Sequence, residues 1–152
     1  MPATRRAFSL VELVIVILVL GILAGAAAPR YASALRWKRL ESSAYRIAAD
    51  LRRARDEAVQ ASSPRTVMFS VAENQYTMLG VESINRRGGD DQVNLGQTGY
   101  AVELALATFG GGSSSVTFDQ FGHADNAGAI VIQTANEQRQ IEVRVSGQIL
   151  IP

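Results

Sequence analysis

The chain has no cysteine among its 152 residues. Disulfide staples, zinc–thiolate sites and thiol chemistry are thereby excluded, and a folded domain must rely on its apolar core. Histidine occurs once, as His123 in Phe121-Gly122-His123-Ala124-Asp125-Asn126. It has neither a nucleophile motif nor a carboxylate at metal-ligand spacing beside it. A Ser–His–Asp set and a histidine metal centre are therefore not supported, and His123 reads as a surface-turn residue. Charge is missing altogether from Leu13 to Ala28.

The residues that flank this uncharged run are the most informative in the chain. Arg5 and Arg6 precede Ala7-Phe8-Ser9-Leu10-Val11-Glu12. A helix from Phe8 to Ala28 would be about 31 Å long at about 1.5 Å per residue, which matches the hydrocarbon core of a bilayer. Glu12 is the one carboxylate in that segment. A charge near the centre of a membrane costs about 2.5–3.5 kcal/mol or more, and less near its edge. Two readings follow: Glu12 snorkels to the interface, or it meets a positive partner within the membrane plane.

At these residues the chain resembles the type IV pilin and type II secretion pseudopilin superfamily. Such proteins carry a short basic leader, a cleavage site before Phe and a Glu at the fifth mature position. The resemblance implies a leader of Met1 to Ala7, a new N-terminus at Phe8 and the matching acid at Glu12. Gly21 and Pro29 match the family's mid-membrane glycine and the proline after the apolar run. The family usually has Gly before the cut, where this chain has Ala7; alanine is the next smallest residue, so cleavage is still expected. Rival readings exist. Thr4-Arg5-Arg6-Ala7-Phe8-Ser9-Leu10 also looks like a twin-arginine export signal. Ala24 to Ala28 could then supply a signal-peptidase site. Pro29 would follow the most obvious cut, however, and Glu12 interrupts the run. A plain anchor explains the run but not Phe8 with Glu12.

The charge is laid out unevenly. Residues 30–57 hold eight basic and four acidic side chains, and residues 63–152 hold five basic and nine acidic ones. A basic middle and an acidic end suit head-to-tail stacking of subunits, although a solvated helix face is the default explanation. One rule is violated. Arg30, Arg36, Lys38 and Arg39 follow the apolar run, whereas only Arg5 and Arg6 precede it. The positive-inside bias alone would leave the C-terminal side in the cytoplasm. The opposite orientation is chosen because the family's peptidase cuts on the cytoplasmic side.

After Pro29, Leu40, Ala44, Ile47, Leu51, Ala54 and Ala58 recur at three- and four-residue spacing, which predicts one apolar stripe on a continuing helix. Ser62-Ser63-Pro64 predicts its end. Pro29 removes a backbone hydrogen bond and is expected to kink the helix, or to hinge two helices. Strands are predicted at Thr66 to Val71, Gln75 to Leu79, Tyr100 to Ala107, Ser115 to Phe118, Ala129 to Thr134, Gln140 to Val145 and Gln148 to Ile151. Asn85 to Gly99 and Gly110 to Ser115 read as surface loops, since neither has the setting of a phosphate-binding loop.

Phe118-Asp119-Gln120-Phe121-Gly122, Ala129-Ile130-Val131-Ile132, Arg139-Gln140-Ile141-Glu142-Val143 and Gly147 resemble the domain shared by the secretion minor pseudopilin H and the pilus protein FimT. FimT-like proteins suggest DNA capture, and that branch carries Gly-Arg-x-Arg near its C-terminus. Here the place reads Gly147-Gln148-Ile149-Leu150. Phosphate binding needs Lys and Arg, so DNA is not expected as a partner unless Arg86, Arg87, Arg139 and Arg144 form a patch. Asp90-Asp91 and Asp119…Asp125 lack the alternating ligands of a strong calcium loop and read as turn acids.

The resemblance thus implies an α+β, pilin-like fold, with a long N-terminal helix packed on an antiparallel sheet or sandwich. Four segments are expected: a leader (1–7), a transmembrane helix (8–28), an amphipathic continuation (29–63) and a β-rich domain (64–152). The implied function is that of a structural minor pseudopilin of a type II secretion pseudopilus, not an enzyme, with no cofactor and no metal. The alternative is a FimT-like minor type IV pilin serving pilus assembly or DNA uptake. Expected partners are a prepilin peptidase, other pseudopilins or pilins, and inner-membrane lipid, with the C-terminal domain periplasmic. The residues implicated are Ala7 and Phe8 in processing and methylation, Glu12 in assembly and Pro29 in the kink.

Overall fold

The structure, a computed structural model, describes residues 9–83, 89–97, 99–135 and 137–152, without the side chains of 26–29. Ala7, Phe8, Arg86, Arg87 and the Pro29 side chain, and with it the expected kink, lie outside the described residues. Helix α1 spans Leu10–Gln60. The chain forms two compact units, Met1–Arg36 and Trp37–Pro152.

In the first unit every described side chain is exposed. This part of α1 is apolar and long enough to cross a membrane. Val and Ile are only moderate helix formers in water. In lipid, however, a span must satisfy its own backbone groups, and a helix does so.

The second unit is built on the other half of α1. Leu40, Ala44, Ile47, Leu51, Ala54 and Ala58 are all buried, as the stripe predicts, together with Ala48. The helix ends in a closed C-terminal turn. The Ser63 N–H donates to Ala58 O at 3.1 Å and the Ser62 N–H to Val59 O at 3.2 Å. Ser62 takes the left-handed conformation, φ 46°, that this cap requires. Pro64 cannot continue the helix, and the chain turns into the first strand.

Among the described residues eight strands follow: β1 (Arg65–Ser70), β2 (Gln75–Glu82), β3 (Asp90–Asn94), β4 (Glu103–Phe109), β5 (Ser115–Phe118), β6 (Gly128–Thr134), β7 (Glu137–Val143) and β8 (Ile149–Leu150). They make two antiparallel sheets, ordered β3-β2-β1-β5 and β4-β6-β7-β8. Alternation sends Val67, Phe69, Tyr76, Met78, Val116 and Phe118 of the first sheet inward. From the second sheet come Leu104, Phe109, Ile130, Ile132, Ile141 and Val143. These residues and the helical stripe form one core. Phe69 stacks on Phe109 at 5.9 Å, which joins the sheets, and meets Tyr76 at a tilt, 5.6 Å away.

Three sequence expectations are corrected. The loop expected over Asn85 to Gly99 contains strand β3, which pairs with β2. Its Asp and Asn content hid an edge strand whose pairing is non-local. The strand expected from Tyr100 begins at Glu103, because a turn at Gln97–Ala101 leaves Ala101 at φ 50°. Strand β7 starts at Glu137 and ends at Val143, so Val145 falls in the following turn and is exposed.

Candidate assembly site

Helix α1 has an exposed apolar part and a part that packs on the sheets. In the first part, Glu12 is exposed in the first turn of α1. A carboxylate there is favoured by the positive end of the helix dipole. Among the described residues nothing is placed against Glu12, and Phe8, the expected new N-terminus, lies outside them.

In the second part, polar side chains lock α1 to the sheets. Asp50 is only 5 % exposed. It accepts a hydrogen bond from Arg46 Nε at 2.8 Å and from the Tyr76 hydroxyl at 2.5 Å. A buried carboxylate needs such partners, because an unpaired one is strongly destabilising. Burial pushes the Tyr76 phenol well above its ordinary value, and the adjacent Asp50 charge adds to the shift. The hydrogen bond to Asp50 raises Arg46 further above its own. Arg46 is 37 % exposed, so solvent screens its share of the pair. The buried hydroxyl is the stronger tie.

A second lock lies one turn further along. Arg53 donates to Asp91 Oδ2 at 3.0 Å, to Glu57 Oε1 at 3.1 Å and to the Glu82 carbonyl at 2.5 Å. Ser83 Oγ donates to the other Asp91 oxygen at 3.0 Å. These contacts fix the β2–β3 edge to the helix. On the other sheet, Arg52 donates to Ile149 O at 3.0 Å and Arg55 to Gly147 O at 3.2 Å. Gly147 sits in the β7–β8 turn at φ 77°, and a Cβ there would come 1.9 Å from Gly122 O. Glycine is required on both counts. Asn74 bridges the sheets, accepting from the Leu104 N–H at 2.7 Å and donating to Val102 O at 2.9 Å. None of these long-range pairs carries a local sequence signal.

Residues 43–148 match the family described as type II transport protein GspH. The chain belongs to the GspH family. Residues 3–28 match the prokaryotic N-terminal methylation motif, which covers Ala7, Phe8 and Glu12. Among solved structures, the GspH-family chain is similar to the minor pseudopilin EpsH from the type 2 secretion system of Vibrio cholerae. That pair is 17 % identical with a TM-score of 0.54, over 75 % of this chain and 96 % of that one. The type IV minor pilin FimU of Pseudomonas aeruginosa strain PAO1 is also similar. It is 17 % identical with a TM-score of 0.52, over 74 % of this chain and 92 % of FimU. At this identity the likeness establishes the pilin fold. No curated protein matches the chain.

Of the patch of arginines considered from the sequence, only Arg139 and Arg144 lie among the described residues of this GspH domain, and they do not face the same way. Arg139 shares the inward parity of Ile141 and Val143, and its guanidinium lies 4.3 Å from the centre of the Trp37 ring on α1. Arg144 has the opposite parity and donates to Gln148 Oε1 at 3.1 Å. Arg139 therefore docks the helix rather than facing outward with Arg144. The turn acids have local duties. Asp119 Oδ1 accepts the N–H groups of His123 at 2.8 Å and Phe121 at 2.9 Å. These bonds, that from His123 first, hold its carboxyl below the usual range. Asp125 Oδ1 accepts the Thr117 N–H at 3.0 Å, and Asp90 Oδ1 the Gly80 N–H at 2.8 Å. No group of three metal-ligating side chains gathers among the described residues.

Proposed function

We propose that this GspH-family protein is a structural minor pseudopilin of a type II secretion pseudopilus. One observation carries the reading: a methylation motif over residues 3–28 and a GspH domain over residues 43–148 share the single helix α1. A prepilin peptidase cuts between Ala7 and Phe8 and methylates the Phe8 amine. The apolar half of α1 holds the subunit in the inner membrane, with the domain in the periplasm, until it joins other pseudopilins. Glu12 then pairs with the Phe8 amine of a neighbour. Opposite charges attract more strongly as the dielectric falls, although both must first be desolvated. The domain acts as a rigid, non-catalytic body.

N-terminal sequencing and intact mass of the membrane-extracted protein test the processing step. The expected chain begins with methylated Phe8. A chain beginning near Pro29 would support an export signal and overturn the filament reading. Deleting the gene should impair type II secretion and spare pilus formation, and the reverse pattern would favour the minor pilin.

A further inference from the structure

The chain has five phenylalanines. Phe69, Phe109 and Phe118 are buried in the core, whereas Phe121 is 72 % exposed. A lone exposed apolar residue is ordinary. Phe121, however, has two exposed apolar neighbours, Val59 at the end of α1 and Val145 in the β7–β8 turn. Gly122 and Gly147 bring the three together. A Cβ on Gly122 would lie 3.3 Å from Val59 Cγ2, and one on Gly147 would strike Gly122 O. The Ala124 N–H donates to Val145 O at 2.9 Å. All of these residues belong to the Trp37–Pro152 unit.

The turn that carries Phe121 is held stiffly. The Asp119 N–H donates to His123 O at 2.9 Å, and the Gly122 N–H to Asp119 O at 3.0 Å. Asp119 Oδ1 accepts the Phe121 and His123 N–H groups as well. Gly122 takes φ 82° and packs against Arg55, which donates to Gly147 O. A loose loop loses much of its binding energy on being ordered, and a fixed ring loses little. Aromatic side chains are also enriched among the few residues that dominate protein contacts.

Three occupants differ in what they need. A lipid surface favours cations beside the apolar residues. The rim here holds Asp56, Asp119 and Asp125 against Arg55 and Arg144, and Arg55 is tied to Asp56 at 2.8 Å. A second copy docking through the same patch would oppose two projecting rings and two sets of those acids. The exposed part of Phe121 amounts to about 110–180 Å². That is far below the roughly 800 Å² that each partner buries in a free-standing complex. So small an anchor suffices when a second tether already holds the partner close.

We propose that Phe121, flanked by Val59 and Val145, is the anchor with which the domain docks into an apolar recess on a different pilin-like subunit. The tether is the membrane-spanning helix of each subunit, which rests on the reading of this protein as a filament subunit. Lys or Arg at the edge of the recess would complement Asp119 and Asp125.

The test uses the full chain in cells, with p-benzoylphenylalanine in place of Phe121, and in a second strain in place of Met68, which is exposed on β1. Ultraviolet light should couple position 121 to another pilin-like subunit, identified by mass spectrometry of the adduct. The yield should be at least about tenfold above that from position 68. In parallel, F121S/V145S should lower co-purification of the same subunit by at least about tenfold. Its urea midpoint, followed by Trp37 fluorescence, should stay at the wild-type value, because both side chains are exposed. Should the midpoint fall, the cross-link alone decides. An adduct with a second copy of this chain, an adduct with lipid, or equal yields from the two positions would each overturn the anchor. Undiminished co-purification of F121S/V145S at an unchanged midpoint would do the same. Secretion by a deletion strain separates the two readings. If deletion impairs secretion and position 121 gives no subunit adduct, the anchor fails and the filament reading stands. If deletion leaves secretion and pilus formation intact, the filament reading fails, and the anchor with it.

Discussion

Replacing Tyr76 with Phe removes one hydroxyl from the contact between α1 and β2 and leaves the ring in the core. That hydroxyl is buried and donates to Asp50 Oδ2 at 2.5 Å. A hydrogen bond to a charged group is worth about 1.5–3 kcal/mol, and little water can replace it here. Tyr76→Phe should therefore destabilise the domain by about 1.5–3 kcal/mol at pH 7. The effect depends on pH. The folded state holds the Tyr76 proton well above the ordinary value, through burial first and the Asp50 charge second. The unfolded chain releases it near pH 10. Above that, the folded state binds more protons than the unfolded one, so stability from this group falls as pH rises. The loss approaches about 1.4 kcal/mol per pH unit. Tyr76→Phe lacks this slope, so the two stability curves should converge at about one to two units above pH 10. Urea unfolding of the full chain in mild detergent measures both effects. The lone Trp37 is the reporter, because it stacks on Arg139 across the helix–sheet contact. Equal stability at pH 7 with parallel pH profiles would refute the argument.

Gly147→Ala should cost more than about 3 kcal/mol, from left-handed strain of about 1–2 kcal/mol plus the clash with Gly122 O; a cost under 1 kcal/mol in the same urea assay would show that the two turns can part. Ser43→Ala should stabilise by up to about 1 kcal/mol, because the buried Ser43 Oγ has no hydrogen-bond partner among the described residues; a lower unfolding midpoint would mean that the hydroxyl is satisfied. Glu12→Gln keeps the shape and removes the charge, so it should insert and be cleaved normally yet enter filaments poorly; normal incorporation, scored by cross-linking to other pseudopilins, would leave Glu12 without a role.

The parts legible in the sequence were those whose physics is local. The uncharged run from Leu13 to Ala28 is long and apolar enough to span a bilayer, and composition alone shows this. The buried stripe from Leu40 to Ala58 follows from helical periodicity, and the helix end from Ser62-Ser63-Pro64. The Asp50–Tyr76 and Arg53–Asp91 pairs were decided by tertiary structure, because they join residues distant in the chain. Strand β3 exists only because β2 offers it an edge, and Gly147 is indispensable because its turn takes φ 77° and Gly122 lies against it. The fate of the arginines is the clearest division. Sequence reading counts Arg139 and Arg144 as two cations of one possible patch. Strand parity turns the first inward onto Trp37 and leaves the second in the turn, so burial, not charge, sets what each one does.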